Sequence, residues 1–366
     1  MIPISQPSIT QKEIDYVTDA VKSTWISSLG KYIDQFEADF ARFCGTQYAI
    51  AVSNGTVAIH LALIGNKIGP GDEVIIPNLT FVATANAVLH AGARPVIVDI
   101  DPYNWCIDPV SIEKAITPRT KAIMPVHLYG HPADMKKIMD IAQRHDLVVI
   151  EDAAETHGAK AYNKTVGGWG TCATFSFYGN KNLTTDEGRM ITTNDKELNA
   201  RCRYLRDHAM SKEKRYWHTE VGFNYRMTNI QAALGCAQLE RISELMNKRQ
   251  QLFDWYQREL KGEKGLELNR TSEWATNSYW LICMEYEGWK SENDRDQFMV
   301  NLRRKGVDSR PFFYPLSVMP YLSQPVNTPV TMNTYMKGIN LPTYFDLKEE
   351  EVKLICREIK TILNGR

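Results

Sequence analysis

The run Thr174-Phe175-Ser176-Phe177-Tyr178-Gly179-Asn180-Lys181 joins an apolar strand to a Gly-Asn turn and ends on a lysine. A turn of that kind leaves the amine facing a cleft at the strand end. Upstream, Leu147-Val148-Val149-Ile150 forms a second strand whose end carries Glu151-Asp152-Ala153-Ala154-Glu155. An amine and carboxylates leaving strand ends suit pyridoxal phosphate. That cofactor takes a lysine for its Schiff base and a buried carboxylate that keeps the pyridinium nitrogen protonated, which makes the ring an electron sink.

Outward from these strands the same alternation continues. Tyr48 to Val52 precedes a helical stretch from Val57 to Ile64, Glu73 to Ile76 precedes Ala83 to His90, and Pro95 to Val98 and Ala122 to Val126 add further strands. Such β/α alternation predicts a mainly parallel sheet covered by helices on both faces, with ligands at the carboxyl ends of the strands. From Asn229 the spacing of Ala232, Leu234, Leu239, Ile242, Leu252, Trp255 and Leu260 predicts one long connecting helix. Beyond it, a strand at Tyr279 to Met284 and helices at Asn293 to Lys305 and Lys348 to Leu363 predict a smaller α+β unit. We therefore expect a large domain over 1–245 and a small one over 246–366.

Composition removes several function classes. Lys plus Arg and Asp plus Glu each number 43 in 366 residues, so no bulk field draws the chain to nucleic acid or an anionic membrane. The seven cysteines are scattered without CxxC spacing, which argues against a disulfide framework or a zinc site; no metal is expected. The start, Met1-Ile2-Pro3-Ile4-Ser5-Gln6-Pro7, has neither the charged nor the apolar region of a signal peptide, and no stretch approaches the roughly 18 apolar residues of a membrane span. A soluble cytoplasmic protein is expected.

Further motifs carry the chemistry. Ser53-Asn54-Gly55-Thr56 puts a glycine, hydroxyls and free amides at a helix N-terminus, which suits a phosphate and also an ordinary helix cap. Ser176 adds a second hydroxyl. Phe81, between a strand ending at Pro77 and a helix starting near Ala83, stands at the mouth of the same crevice, as a ring-stacking aromatic or as a core residue. Asp152 has a helix-cap alternative, and Glu155 that of a solvated first-turn glutamate.

Together with Val126-His127-Leu128-Tyr129-Gly130-His131-Pro132 and Tyr225-Arg226-Met227-Thr228-Asn229, these segments resemble the DegT/DnrJ/EryC1/StrS family of sugar aminotransferases across nearly the whole chain. The resemblance implies PLP-dependent fold type I, like aspartate aminotransferase: an α/β large domain with a mainly parallel seven-stranded sheet, plus a smaller α+β C-terminal domain. It implies that Lys181 is the Schiff-base lysine and proton shuttle, that Asp152 pairs with the pyridinium nitrogen, and that Glu155 bonds the ring hydroxyl. Gly55, Thr56 and Ser176 fall on the phosphate site and Phe81 on the stacking position. Asn224 falls on an asparagine that reaches the phosphate of a neighbouring subunit, so a homodimer with shared sites is implied. Arg310 and Tyr314 lie in the segment facing a nucleotide sugar; a surface salt bridge is the other reading of Arg310. The implied reaction passes an amino group, with glutamate as donor and the pyridoxamine form as carrier, to C4″ of a nucleotide-linked 4-keto-6-deoxy sugar. Ser23-Thr24-Trp25-Ile26-Ser27-Ser28 and Arg310-Pro311-Phe312-Phe313-Tyr314-Pro315 resemble the branch acting on GDP-linked sugars; dTDP and UDP sugars are the alternatives.

One stretch departs from the pattern. Where relatives usually read Thr-Thr-Gly-Glu-Gly-Gly, this chain has Thr184-Thr185-Asp186-Glu187-Gly188-Arg189, which removes two glycines and brings an acidic and a basic side chain towards the cofactor loop. That departure is the best support for a catalytically silent regulatory protein on the same fold. A related 3-dehydratase would carry histidine in place of Lys181.

Overall fold

The computed structural model describes residues 1–322 and 325–365. Its main sheet has seven strands, in spatial order Tyr48–Val52, Arg189–Thr193, Cys172–Ser176, Val148–Asp152, Thr120–Ile123, Glu73–Pro77 and Arg94–Val98. The last five run parallel to one another, and Arg189–Thr193 is antiparallel to both its neighbours. The expected α/β, mainly parallel architecture is what the chain adopts.

Both faces of this sheet are buried, and side chains alternate between them with the two-residue period of a strand. Ile50, Val52, Ile150 and Ile191 pack on one side with Leu61 and Leu63 of helix Gly55–Gly65. Ala49, Ala51, Phe175 and Met190 pack on the other with Phe36 and Phe40 of helix Lys31–Cys44. Each such large side chain contributes about 1.5–3 kcal/mol on burial. Helix Gly55–Gly65 is apolar nearly all round because it is covered on its outer side too, by helices Ala83–His90 and Lys196–Arg206.

A second sheet, entirely antiparallel, has the order Leu266–Leu268, Ile282–Tyr286, Gly338–Leu341 and Arg310–Pro311. Its core joins Ile282, Met284 and Ile339 to Phe298 of helix Glu292–Arg304 and Ile355 of helix Glu349–Asn364. The single connecting helix expected from the spacing is instead two, Asn229–Glu240 and Ile242–Leu260. Arg241 stands at the break with φ −97° and ψ 5°, and its buried guanidinium bonds Glu13 at 2.7 Å and Glu244 at 3.1 Å. Apolar spacing carries through such a bend unchanged, so periodicity alone does not reveal it. The 245/246 division falls in the first turn of the second of these helices. No described helix is long and apolar enough to cross a membrane.

Candidate active site

The strand Val148–Asp152 ends on Asp152, beside Thr174 of the neighbouring strand. Asp152 is buried; its Oδ2 accepts from Thr84 Oγ1 at 2.8 Å and its Oδ1 from the Ala154 N–H at 3.2 Å. Thr84 is itself 3.1 Å from the Thr80 hydroxyl. The Ala154 bond is that of a turn cap, yet Ala153 and Ala154 start no helix, so the carboxylate faces the strand-end crevice with a hydroxyl clamping one oxygen.

Glu155 is fully buried, which removes its reading as a solvated glutamate. The Tyr129 N–H donates to its Oε2 at 2.8 Å, and Lys181 Nζ lies 3.4 Å from its Oε1. Burial pushes its carboxyl above the ordinary range, against the opposing pull of Lys181. The turn that delivers the Tyr129 amide is tight: Tyr129 has φ 52° and Gly130 φ 111°, and a Cβ on Gly130 would sit 2.4 Å from the Tyr279 nitrogen. Only glycine fits there.

Lys181 stands just beyond the strand Cys172–Ser176, with its amine 3.3 Å from the centre of the Trp280 ring. Burial lowers its pKa to about 8, helped by the positive charge of Arg189 and opposed by Glu155 and Asp152. A lysine so desolvated carries a far larger share of neutral, nucleophilic amine near neutrality than an exposed one. Trp280 and Asn180 also line a cavity of about 340 Å³ whose wall includes Phe81, Arg310, Phe313 and Tyr314. Phe81 is half exposed, 5.7 Å from the Phe313 ring, so the core alternative for it fails. Arg310 is exposed at a sheet edge without an ion pair among the described residues, and Tyr314 leans on Tyr335. A larger groove of about 790 Å³ is lined by residues of helix Ile242–Leu260 and strand Leu266–Leu268 and does not include Lys181.

On the other side of Asp152, helix Gly55–Gly65 begins with Asn54 as its cap, its side chain accepting from the Val57 N–H. The N–H groups of Gly55 and Thr56 have no partner among the described residues. Ser176 is buried and its Oγ accepts from the Tyr178 N–H, leaving the hydroxyl proton free to donate. Arg189 pairs in register with Ser176 and Val52, and its side chain lies against Gly55. Asn224 is exposed; it accepts from Arg226 Nε at 3.1 Å and shares no contact with Lys181, Asp152 or Glu155 of its own chain. Asp186, where the resemblance has glycine, takes φ 74°, left-handed backbone that strains a residue with a Cβ.

The sequence reading missed Thr84, Tyr129 as the Glu155 donor, Trp280 and the orientation of Arg189. Thr84 follows Thr80 by four residues at the start of helix Ala83–His90, a detectable spacing. Trp280 lies 99 residues from Lys181 and had no sequence signal.

Comparison with known proteins identifies the group. Residues 7–360 match the model of the DegT/DnrJ/EryC1/StrS aminotransferase family. The GDP-perosamine synthase of Caulobacter vibrioides is 45% identical over 99% of this chain and 98% of its own length; that of Escherichia coli O157:H7 is 43% identical over 100% and 99%. The PLP form of a putative sugar aminotransferase from Streptococcus pneumoniae matches with a TM-score of 0.94 at 28% identity, over 100% of this chain and 99% of that one. The chain belongs to the DegT/DnrJ/EryC1/StrS aminotransferase family, has its fold and takes pyridoxal 5′-phosphate. The residues present fit that group. The partnerless amides of Gly55 and Thr56, the unpaired Arg189 and the Thr174 hydroxyl, buried without a hydrogen bond among the described residues, supply donors for a phosphate and a polar ring.

Proposed function

We propose that this enzyme converts GDP-4-keto-6-deoxy-D-mannose into GDP-perosamine with glutamate as amino donor, in the cytoplasm, for O-antigen or related surface polysaccharide. The full-length likeness to two GDP-perosamine synthases supports the substrate, and the buried Lys181 beside Glu155, next to the Phe81–Tyr314 cavity, is the observation that carries the chemistry.

Bound pyridoxal phosphate supplies an electron sink that makes an amino-bearing carbon acidic. The residues do the rest. Lys181, part neutral because it is buried, would hold the cofactor and move the proton at the amino-bearing carbon. Asp152, clamped by Thr84, would pair with the ring nitrogen and hold a proton there. Glu155 would take the ring hydroxyl, and Phe81 would cover the ring face. Gly55, Thr56 and Ser176 hold the phosphate, joined by Asn224 of a second copy, so that the working unit is a homodimer. Its exposed position at the end of a surface loop suits that reach across an interface. Arg310 and Tyr314 receive the nucleotide sugar. We place the large domain at 1–245 and the small one at 246–366.

Purified enzyme incubated with glutamate and a panel of GDP-, dTDP- and UDP-linked 4-keto sugars, followed by mass spectrometry, tests this. Amination of the GDP sugar at C4″ ahead of the others is expected; preference for a dTDP or UDP sugar would move the assignment, and no amination of any would end it.

A further inference from the structure

Arg189, which stands where the family resemblance has glycine, takes up a position of its own. The strand Arg189–Thr193 runs between Tyr48–Val52 and Cys172–Ser176, and Arg189 faces the same side of the sheet as Ser176, opposite it in register. Its guanidinium lies against Gly55, the first residue of helix Gly55–Gly65. A Cβ built on Gly55 would be 2.1 Å from Nη2 and 2.5 Å from Cζ. Among the described residues it has no hydrogen bond and no ion pair within 4.0 Å. A cation there is doubly disfavoured: it is largely removed from water, and it sits at the positive end of a helix. Asp152, Glu155 and Glu187 attract it only through space, and burial still lowers its pKa below the ordinary arginine value. Two amides with no partner among the described residues, those of Gly55 and Thr56, stand at the same helix end. All of these features ask for one thing, a doubly charged oxyanion.

We propose that Arg189 is an additional ligand of the cofactor phosphate, its guanidinium pairing with the phosphate dianion beside the Gly55 and Thr56 amides. The planar fork of a guanidinium matches two phosphate oxygens, which a glycine at this position cannot do. The extra cation also bears on Lys181 and His157, whose pKa values it helps to lower, so the bound dianion would relieve both. The inference rests on the cofactor occupying this crevice and not on the identity of the sugar.

The test titrates cofactor-stripped full-length enzyme with pyridoxal phosphate, with pyridoxal, which lacks the phosphate, and with inorganic phosphate as competitor. The proteins are the wild type, Arg189→Gly, which restores the residue of the family pattern that the sequence resembles, and Arg189→Met, which keeps the bulk without the charge. Both variants are expected to bind pyridoxal phosphate about 10- to 100-fold more weakly. Pyridoxal affinity should be unchanged, and competition by inorganic phosphate should weaken in parallel. Equal or tighter binding of pyridoxal phosphate by Arg189→Gly would mean that the guanidinium obstructs the cradle. An equal loss for pyridoxal would make its role structural. Either result overturns the proposal. Borohydride reduction and peptide mapping of the same wild-type samples separate a deeper failure: a label away from Lys181 would remove the cofactor from this crevice and with it the proposed function as well.

Discussion

Glu151 and Glu155 leave the same strand end and both are buried, yet they face opposite economies of hydrogen bonding. Glu151 accepts from His127 at 3.1 Å and from the N–H groups of Gly167, Trp169 and Gly170 at 2.8–2.9 Å. His127 Nδ1 accepts from the Ala133 N–H, which fixes Nε2 as the donor to Glu151. Burial would push the Glu151 carboxyl up, but those four donors hold it below the ordinary range. Glu155 has one amide donor and a lysine at 3.4 Å, and burial wins. The saturated carboxylate holds the fold; the undersaturated one keeps capacity for a ligand. Arginines divide in the same way. Arg249 is buried but gives its Nη1 to the Trp280 and Thr343 carbonyls, whereas Arg189 has no such partner among the described residues.

The division predicts where function and stability part. Lys181→Ala, on the undersaturated side, should lower turnover by at least about 10⁴-fold while leaving the melting transition near that of the wild type. Borohydride should then fix no cofactor to the protein. Full activity, or labelling of another lysine, would break the comparison at its centre. Asp152→Asn keeps the Thr84 bond but not the charge, so turnover should fall about 10²- to 10⁴-fold with some cofactor still bound. A near-normal rate would return Asp152 to the role of a turn cap. Glu151→Ala should do the reverse. It strands four donors, two of them fully buried, and should cost about 3–5 kcal/mol in denaturant unfolding, whereas Glu155→Gln, which retains an acceptor for Tyr129, should cost less than about 1 kcal/mol. Equal losses would show that saturation does not separate the two sites.

This asymmetry also explains what was legible in the sequence. Apolar strands and turn residues are local, so the β/α alternation, the lysine after Asn180 and the carboxylates after Ile150 stood out, and the family resemblance supplied their order. The fold class followed, as did the main sheet and the neighbourhood of Lys181, Asp152 and Glu155. Saturation is not local. Three of the four donors to Glu151 come from a loop at Gly167 to Gly170, and Trp280, just before strand Ile282–Tyr286, and Arg249, on helix Ile242–Leu260, reach the Lys181 region from far along the chain, so nothing in the spacing told Glu151 from Glu155. The Asp186 to Arg189 departure was visible, but its consequences differ residue by residue: strain at Asp186, and at Arg189 an ordinary backbone with a new cation in the crevice.

The finest effect concerns the amine itself. In cofactor-stripped enzyme, Lys181 has its pKa lowered to about 8 because burial penalises the charged form and Arg189 repels it, while Glu155 pulls the other way. The neutral amine is the reactive species, so acylation of Lys181 by an amine reagent should rise as pH increases through about 8. An exposed lysine such as Lys137, whose pKa Asp134 raises, should react only at higher pH. Removing the Glu155 charge takes away a stabiliser of the ammonium form, so Glu155→Gln should move the Lys181 midpoint further down. Arg189→Gly takes away a repulsion and should move it up. Peptide-resolved acylation across a pH series reads both shifts from one experiment. A midpoint that stays in place in Glu155→Gln would show that the 3.4 Å contact carries no electrostatic coupling, and that the undersaturated carboxylate acts on its ligand alone.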